Sequence, residues 1–239
     1  MSVTQTALDY FDGDTLCKGV VYAPDNSTSP LPVVLVIHAW DGLVQEVHDK
    51  AQRLAQAGYI AFGIDVYGGG KTLTDMSQMM PTFEPFMTDR RVLLQRLMAA
   101  VDAAKTIANA DTHRIAAMGY CFGGLCVLDL ARGASADIKA VVSFHGSLLA
   151  NGIDSSDPIT AKLLVLHGND DPLIPPEQVQ SFITEMDGRK ADWEFTAYSG
   201  TVHAFTRPDA NDPEMGAMYN EAVDRRSWKA MLNFFADVL

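Results

Sequence analysis

Arg114-Ile-Ala-Ala-Met-Gly-Tyr-Cys-Phe-Gly-Gly124 is the stretch on which the reading of this chain turns. Ile115 to Met118 read as a short buried strand, and Phe122 to Ala131 as the apolar helix that follows it. Cys121 therefore stands at a strand-to-helix junction, between Gly119 and Gly123. A turn of the form G-x-[Ser/Cys]-x-G holds its central residue in a strained conformation, and the residues two away pack too closely to carry side chains.

At the start of a helix, unpaired N–H groups and the macrodipole favour negative charge, which biases a cysteine there toward the nucleophilic thiolate. The N–H of Phe122 would point at the oxygen of a tetrahedral intermediate. A small buried cysteine in a tight turn has the same local sequence, so partners elsewhere decide between the two.

The rest of the chain sets the frame. Its 239 residues carry no repeat, charge block or linker, which predicts one domain over 1–239. A hydrophobic content of 48% supports a sizeable core, while apolar runs such as Val33 to Ile37 are too short to cross a bilayer. A formal charge of −12 disfavours nucleic acid and anionic membrane surfaces and leaves a small molecule as the expected partner. Cys17, Cys121 and Cys126 form neither a disulfide framework nor a metal pair. Met1 to Asp14 has no basic start followed by an apolar run, so the expected location is cytoplasmic.

Strands are expected at Gly19 to Ala23, Val33 to Ile37, Ile60 to Asp65, Arg114 to Met118, Ala140 to His145, Lys162 to His167 and Trp193 to Tyr198. A turn is expected from Asn26 to Pro30. Helices are expected at about Glu46 to Ala57, Asp89 to Ala108, Phe122 to Ala131, Pro176 to Met186 and Tyr219 to Leu239. Strands alternating with helices predict an α/β fold with a mostly parallel, doubly wound sheet and helices on both faces. The segment at 68–89 is long for a connection. Its Met76, Met79, Met80, Phe83, Phe86 and Met87 suit either a flexible apolar lid or a plain packing loop.

Catalytic groups in such sheets collect beyond the carboxyl ends of the strands. Gly168-Asn-Asp-Asp-Pro172 follows one strand, with Asp171 the preferred acid and Asp170 the alternative. Ser199-Gly-Thr-Val-His203 follows the last strand and offers an imidazole on a loop. His38, His145 and His167 end strands and are expected to line the site without acting as base. The order Cys121, Asp171, His203 is the nucleophile, acid, histidine order of α/β-hydrolases. In that arrangement His203 holds or takes the thiol proton and later activates water, while Asp171 orients its ring.

With these residues in hand, the chain resembles the dienelactone hydrolase family of the α/β-hydrolase fold. Gly119-Tyr-Cys-Phe-Gly-Gly124 matches its cysteine elbow, and Asp65-Val-Tyr67, Gly168 to Pro172 and His203-Ala-Phe205 fall in corresponding segments. The resemblance implies hydrolysis of small esters or lactones through a thioester, with no metal or organic cofactor. It places the second oxyanion-hole N–H at Trp40, in His38-Ala-Trp-Asp-Gly-Leu43, and makes Arg207, Tyr120 and Tyr67 candidate substrate-binding residues. Two positions depart from the family pattern. Ala39 stands where a glutamate usually helps activate the thiol, and no arginine lies between Lys71 and Arg90, where the family has one for a substrate carboxylate. A monomer or small homo-oligomer is expected. Competing readings are a peptidase or acyltransferase on the same triad, and a hydrolase fold that binds a small ligand without turnover.

Overall fold

The computed structural model describes every residue except 1, 26, 134 and 154. Asn26, the first residue of the expected turn, thus lies outside the described residues. An eight-stranded sheet organises the chain. Its strands are β1 (Val3–Asp12), β2 (Thr15–Pro24), β3 (Leu31–Ile37), β4 (Ile60–Ile64), β5 (Ala110–Tyr120), β6 (Ile138–Phe144), β7 (Lys162–Gly168) and β8 (Asp192–Tyr198). In space they run β1-β2-β4-β3-β5-β6-β7-β8. The β1–β2 hairpin joins β4 antiparallel, and the other pairings are parallel. This is the mostly parallel α/β-hydrolase arrangement expected from the alternation of strands and helices.

The central strands are apolar at successive positions because both sheet faces are covered. In β3, Val33, Leu35 and Ile37 enter one core and Val34 and Val36 the other. The first core takes side chains from α3 (Arg90–Ala104), α4 (Phe122–Arg132) and α5 (Pro176–Gly188), through Leu97, Leu125 and Phe182. The second takes them from α1 (Gln45–Gln56) and α6 (Glu221–Val238), through Leu54 and Phe235. No helix among the described residues is long and apolar enough to cross a membrane.

Three elements differ from the sequence expectation. β1 was not expected; its mostly exposed pattern carries no apolar run. The expected lid or loop contains a helix, α2 (Met76–Thr88), despite Pro81 and Pro85. Asp75 caps it by accepting the Ser77 N–H. Met79, Phe83, Phe86 and Met87 share one helical face that packs on the core, while both prolines are exposed. The helix expected over Asp89 to Ala108 ends at Ala104, and Asp89 caps its start through the N–H groups of Arg91 and Val92. A small hairpin, β9 (Asn211–Asp212) with β10 (Ala217–Met218), lies outside the main sheet.

Candidate active site

The chain leaves β3 toward β4 on one side of the sheet and returns through β5 on the other, so the carboxyl ends of β3 and β5 flank a topological switch point. Cys121 follows β5 there. Its φ of 54° and ψ of −112° put a non-glycine residue in a strained conformation. Tight packing enforces the turn. A Cβ on Gly119 would lie 2.1 Å from the Gly123 carbonyl oxygen, and one on Gly123 would lie 2.2 Å from that of Ile37. The Cys121 N–H donates to Phe144 O at 3.0 Å, and Leu125 N–H donates back to Cys121 O at 3.1 Å.

Cys121 is partly exposed, whereas Cys126, five residues along the same helix, is fully buried. Burial pushes the Cys126 thiol well above its ordinary range, which leaves it a neutral core residue. As the first residue of α4, Phe122 has an N–H with no intrahelical acceptor.

The acid turn and the histidine loop meet through their backbones. Asp170 N–H donates to Thr201 O at 2.9 Å and Asn169 N–H to Tyr198 O at 3.0 Å. Gly168 permits this docking, since a Cβ there would sit 2.6 Å from Val202 O. Asp171 is buried, and its Oδ2 accepts from His203 Nδ1 at 2.8 Å. The Asp170 side chain is exposed and, among the described residues, bonds only to neighbouring Asn169, so the geometry separates the two acids. His203 is held by β10, with its N–H donating to Gly216 O and its carbonyl accepting from Met218 N–H.

The outer nitrogen of His203, Nε2, is buried with no hydrogen-bond partner among the described residues, and the Cys121 side chain acts on the ring. Burial alone would lower the pKa of this imidazole. The Cys121 side chain and the bond to Asp171 outweigh it and push the group up to about 10.

Three further histidines surround this set. His145 has φ of 40°, shares a 2.8 Å hydrogen bond with Thr206 Oγ1, and meets His203 edge to face at 4.9 Å. Burial keeps it neutral. His167 is likewise lowered by burial. His38 donates from Nδ1 to Ala39 O at 2.6 Å and accepts the Val66 N–H at Nε2, 3.1 Å away. A trans peptide points its C=O and N–H in opposite directions, so holding the Ala39 carbonyl also fixes the direction of the Trp40 N–H.

The three residues expected to contact substrate make the following bonds. Tyr67 uses its hydroxyl to donate to Trp40 O at 2.8 Å, so it braces the loop that carries Trp40. Its ring stacks on Phe122 at 5.9 Å. Tyr120 is buried in the core and stacked on Phe144, because the alternation of β5 turns it away from the elbow. Arg207 is already paired, through Nη1 to Asp41 Oδ2 at 2.6 Å and through Nε to Asp209 Oδ1 at 2.8 Å. Nothing in the local sequence announces the first pair, whose members are 166 positions apart. Glu46 is the other residue that sequence reasoning did not place. Burial raises its carboxyl to about 7, and Lys50, Arg207, Asp41 and Asp209 are the charges that act on it.

Comparison with known proteins agrees with this architecture. A metagenomic "Dienelactone Hydrolase-like Promiscuous Phospotriesterase P91" has a crystal structure that superposes with a TM-score of 0.95 at 33% identity, covering 100% of this chain and 99% of that one. A dienelactone hydrolase from Anabaena variabilis shares the fold at 18% identity, with a TM-score of 0.73 and complete coverage of both chains. A Yersinia pestis protein named "Putative carboxymethylenebutenolidase" is 26% identical over 234 residues, spanning 93% of this chain and 84% of that protein. The dienelactone hydrolase family model matches residues 17–239. The chain belongs to the dienelactone hydrolase family of carboxylic ester hydrolases.

Proposed function

We propose that the chain hydrolyses small esters or lactones through a thioester on Cys121. The observation that carries this reading is the arrangement of three strand ends: a strained Cys121, a His203 imidazole acted on by it, and a buried Asp171 bonded to that ring at 2.8 Å. His203 Nε2 holds the thiol proton as Sγ attacks the ester carbonyl. The N–H groups of Phe122 and Trp40 stabilise the resulting oxyanion. As the carbonyl re-forms, the alcohol leaves with the proton from His203, giving the thioester. His203 then takes a proton from water, which attacks the thioester and releases the acid and the thiol. Asp171 keeps Nδ1 protonated and balances the imidazolium.

Ala39 removes the family's usual carboxylate from the vicinity of the thiol, so activation rests on His203 and the first turn of α4. The apolar face of α2 forms the cover of the acyl site, with Phe83 edge-on to Phe122 at 5.0 Å.

Incubation with 4-nitrophenyl acetate tests this reading by following both nitrophenol release and an acyl adduct on Cys121. A burst with the adduct on Cys121 is expected. Turnover unchanged in Cys121→Ala overturns it, no burst and no adduct favour a binding module, and faster cleavage of aminoacyl anilides favours a peptidase. The P91 neighbour's name gives a second reading, attack of the same thiol on phosphotriesters. Release from diethyl 4-nitrophenyl phosphate, with loss in Cys121→Ala, tests it.

A further inference from the structure

Two of the loops that build the proposed site are tied together by charge. Asp41 is the residue after Trp40, and Arg207 is four residues after His203. The Asp41 side chain is 3% exposed and accepts Arg207 Nη1 at 2.6 Å, while its other oxygen is buried without a partner among the described residues. Asp209 takes the same guanidinium from the solvent side, at 2.8 Å through Nε and 3.4 Å through Nη2. One cation thus faces two carboxylates, and the group as a whole carries formal charge −1. Glu46 adds a third carboxyl to the same neighbourhood, beside a cavity of about 450 Å³ lined also by Lys50, Arg207 and Asp209. Lys50 is itself engaged, with Nζ on Thr206 O at 3.3 Å and Asp224 at 3.5 Å.

An arginine recognises a substrate carboxylate by offering a forked pair of N–H groups with uncompensated charge. While Asp41 and Asp209 hold it, the charge of Arg207 is more than compensated and its Nε/Nη2 fork is occupied by Asp209. A second carboxylate brought to this place would meet net negative charge and would have to displace a partly buried ion pair. We propose that Asp41, Arg207 and Asp209 form a clasp that excludes carboxylate-bearing substrates, so that this site selects neutral esters or lactones. The proposal rests on the ester-hydrolase reading above. It runs opposite to what Arg207 suggests from its sequence position.

The test uses two aryl esters of matched shape and different charge, methyl 4-nitrophenyl succinate and the free acid 4-nitrophenyl hydrogen succinate. The wild-type protein is expected to favour the neutral ester in kcat/KM by about tenfold or more, an electrostatic penalty expected of one net charge at short range. Added salt should narrow the gap by screening it. Asp209→Asn removes the exposed carboxylate and leaves the clasp neutral, so it should raise kcat/KM for the anionic ester by several fold and leave the neutral one in place.

A wild-type preference for the anionic ester overturns the proposal, and so does an anionic-to-neutral ratio unmoved by Asp209→Asn. Lys71 is an exposed cation on the segment that bonds the oxyanion loop, and an anionic preference lost in Lys71→Ala would assign carboxylate binding there. A merely structural tie would shift both esters together. Absence of release from either ester overturns the ester-hydrolase reading itself, and the clasp proposal with it.

Discussion

The elbow and the mouth of the site are built by different means. At the elbow, Gly119 and Gly123 fit backbone against backbone, and the position of Cys121 follows from contacts that no other residue type permits. At the mouth, position follows from side-chain pairs made between distant loops: Tyr67 on Trp40, Arg207 on Asp41, and Phe83 on Phe122. The first kind of construction is written in a short local pattern. The second can be remodelled by single substitutions that leave the fold intact, so the mouth can vary while Cys121 stays in place.

The sharpest way to break this contrast is at the triad. His203→Ala and Asp171→Asn should each lower kcat by about 10⁴-fold, as in triads whose members act as a unit. Asp170→Asn should leave kcat within a fewfold of wild type in the same assay. A large loss in Asp170→Asn with a small one in Asp171→Asn would contradict the 2.8 Å bond.

Next in size is Gly123→Ala. Alanine normally stabilises a helix over glycine, but here the added Cβ meets Ile37 O at 2.2 Å. Overpacking against backbone should cost about 3 kcal/mol or more, read as a fall in the urea midpoint. A neutral or stabilising outcome would show that the elbow can relax.

The mouth supplies the two smaller effects. Burial raises Glu46 to about 7 from an ordinary 4.5. Between these values the unfolded chain loses the proton while the folded one keeps it, so stability falls as pH rises, and the full cost is present above pH 7. Glu46→Gln should therefore stabilise at pH 8 relative to wild type by up to about 3 kcal/mol more than it does at pH 4, in paired urea titrations. Phe83→Ala, which removes a partly buried ring at 5.0 Å from Phe122, should raise KM for aryl esters by about threefold with kcat nearly unchanged.

The same division explains what the sequence disclosed. Val33 to Ile37 and Lys162 to His167 were legible as strands because burial on both faces leaves an unbroken apolar run. Cys121, Asp171 and His203 were legible as candidates because each follows such a strand, in an order that chemistry constrains. β1 escaped since an edge strand lies mostly in water, although Gly13-Asp14 before Thr15 is the kind of two-residue turn that closes a hairpin. α2 escaped because Pro81 and Pro85 read as helix breakers, and only the three-dimensional packing shows that both lie away from the buried stripe. Arg207 was legible as a residue near His203, but not as the partner of Asp41, because a pairing across 166 positions leaves no periodic trace. The burial of Tyr120 against Phe144 was not legible, because motif membership says nothing about which way a strand residue points.

The φ of 54° at Cys121 has a consequence for how such a protein can change over time. Glycine would hold that backbone conformation with less strain and no thiol, so the residue proposed as the nucleophile also opposes the molecule's stability. Variants filtered for heat resistance alone would drift toward an inert elbow. Thermal robustness and turnover therefore have to be selected together, with gains in stability found far from the loop that carries the thiol.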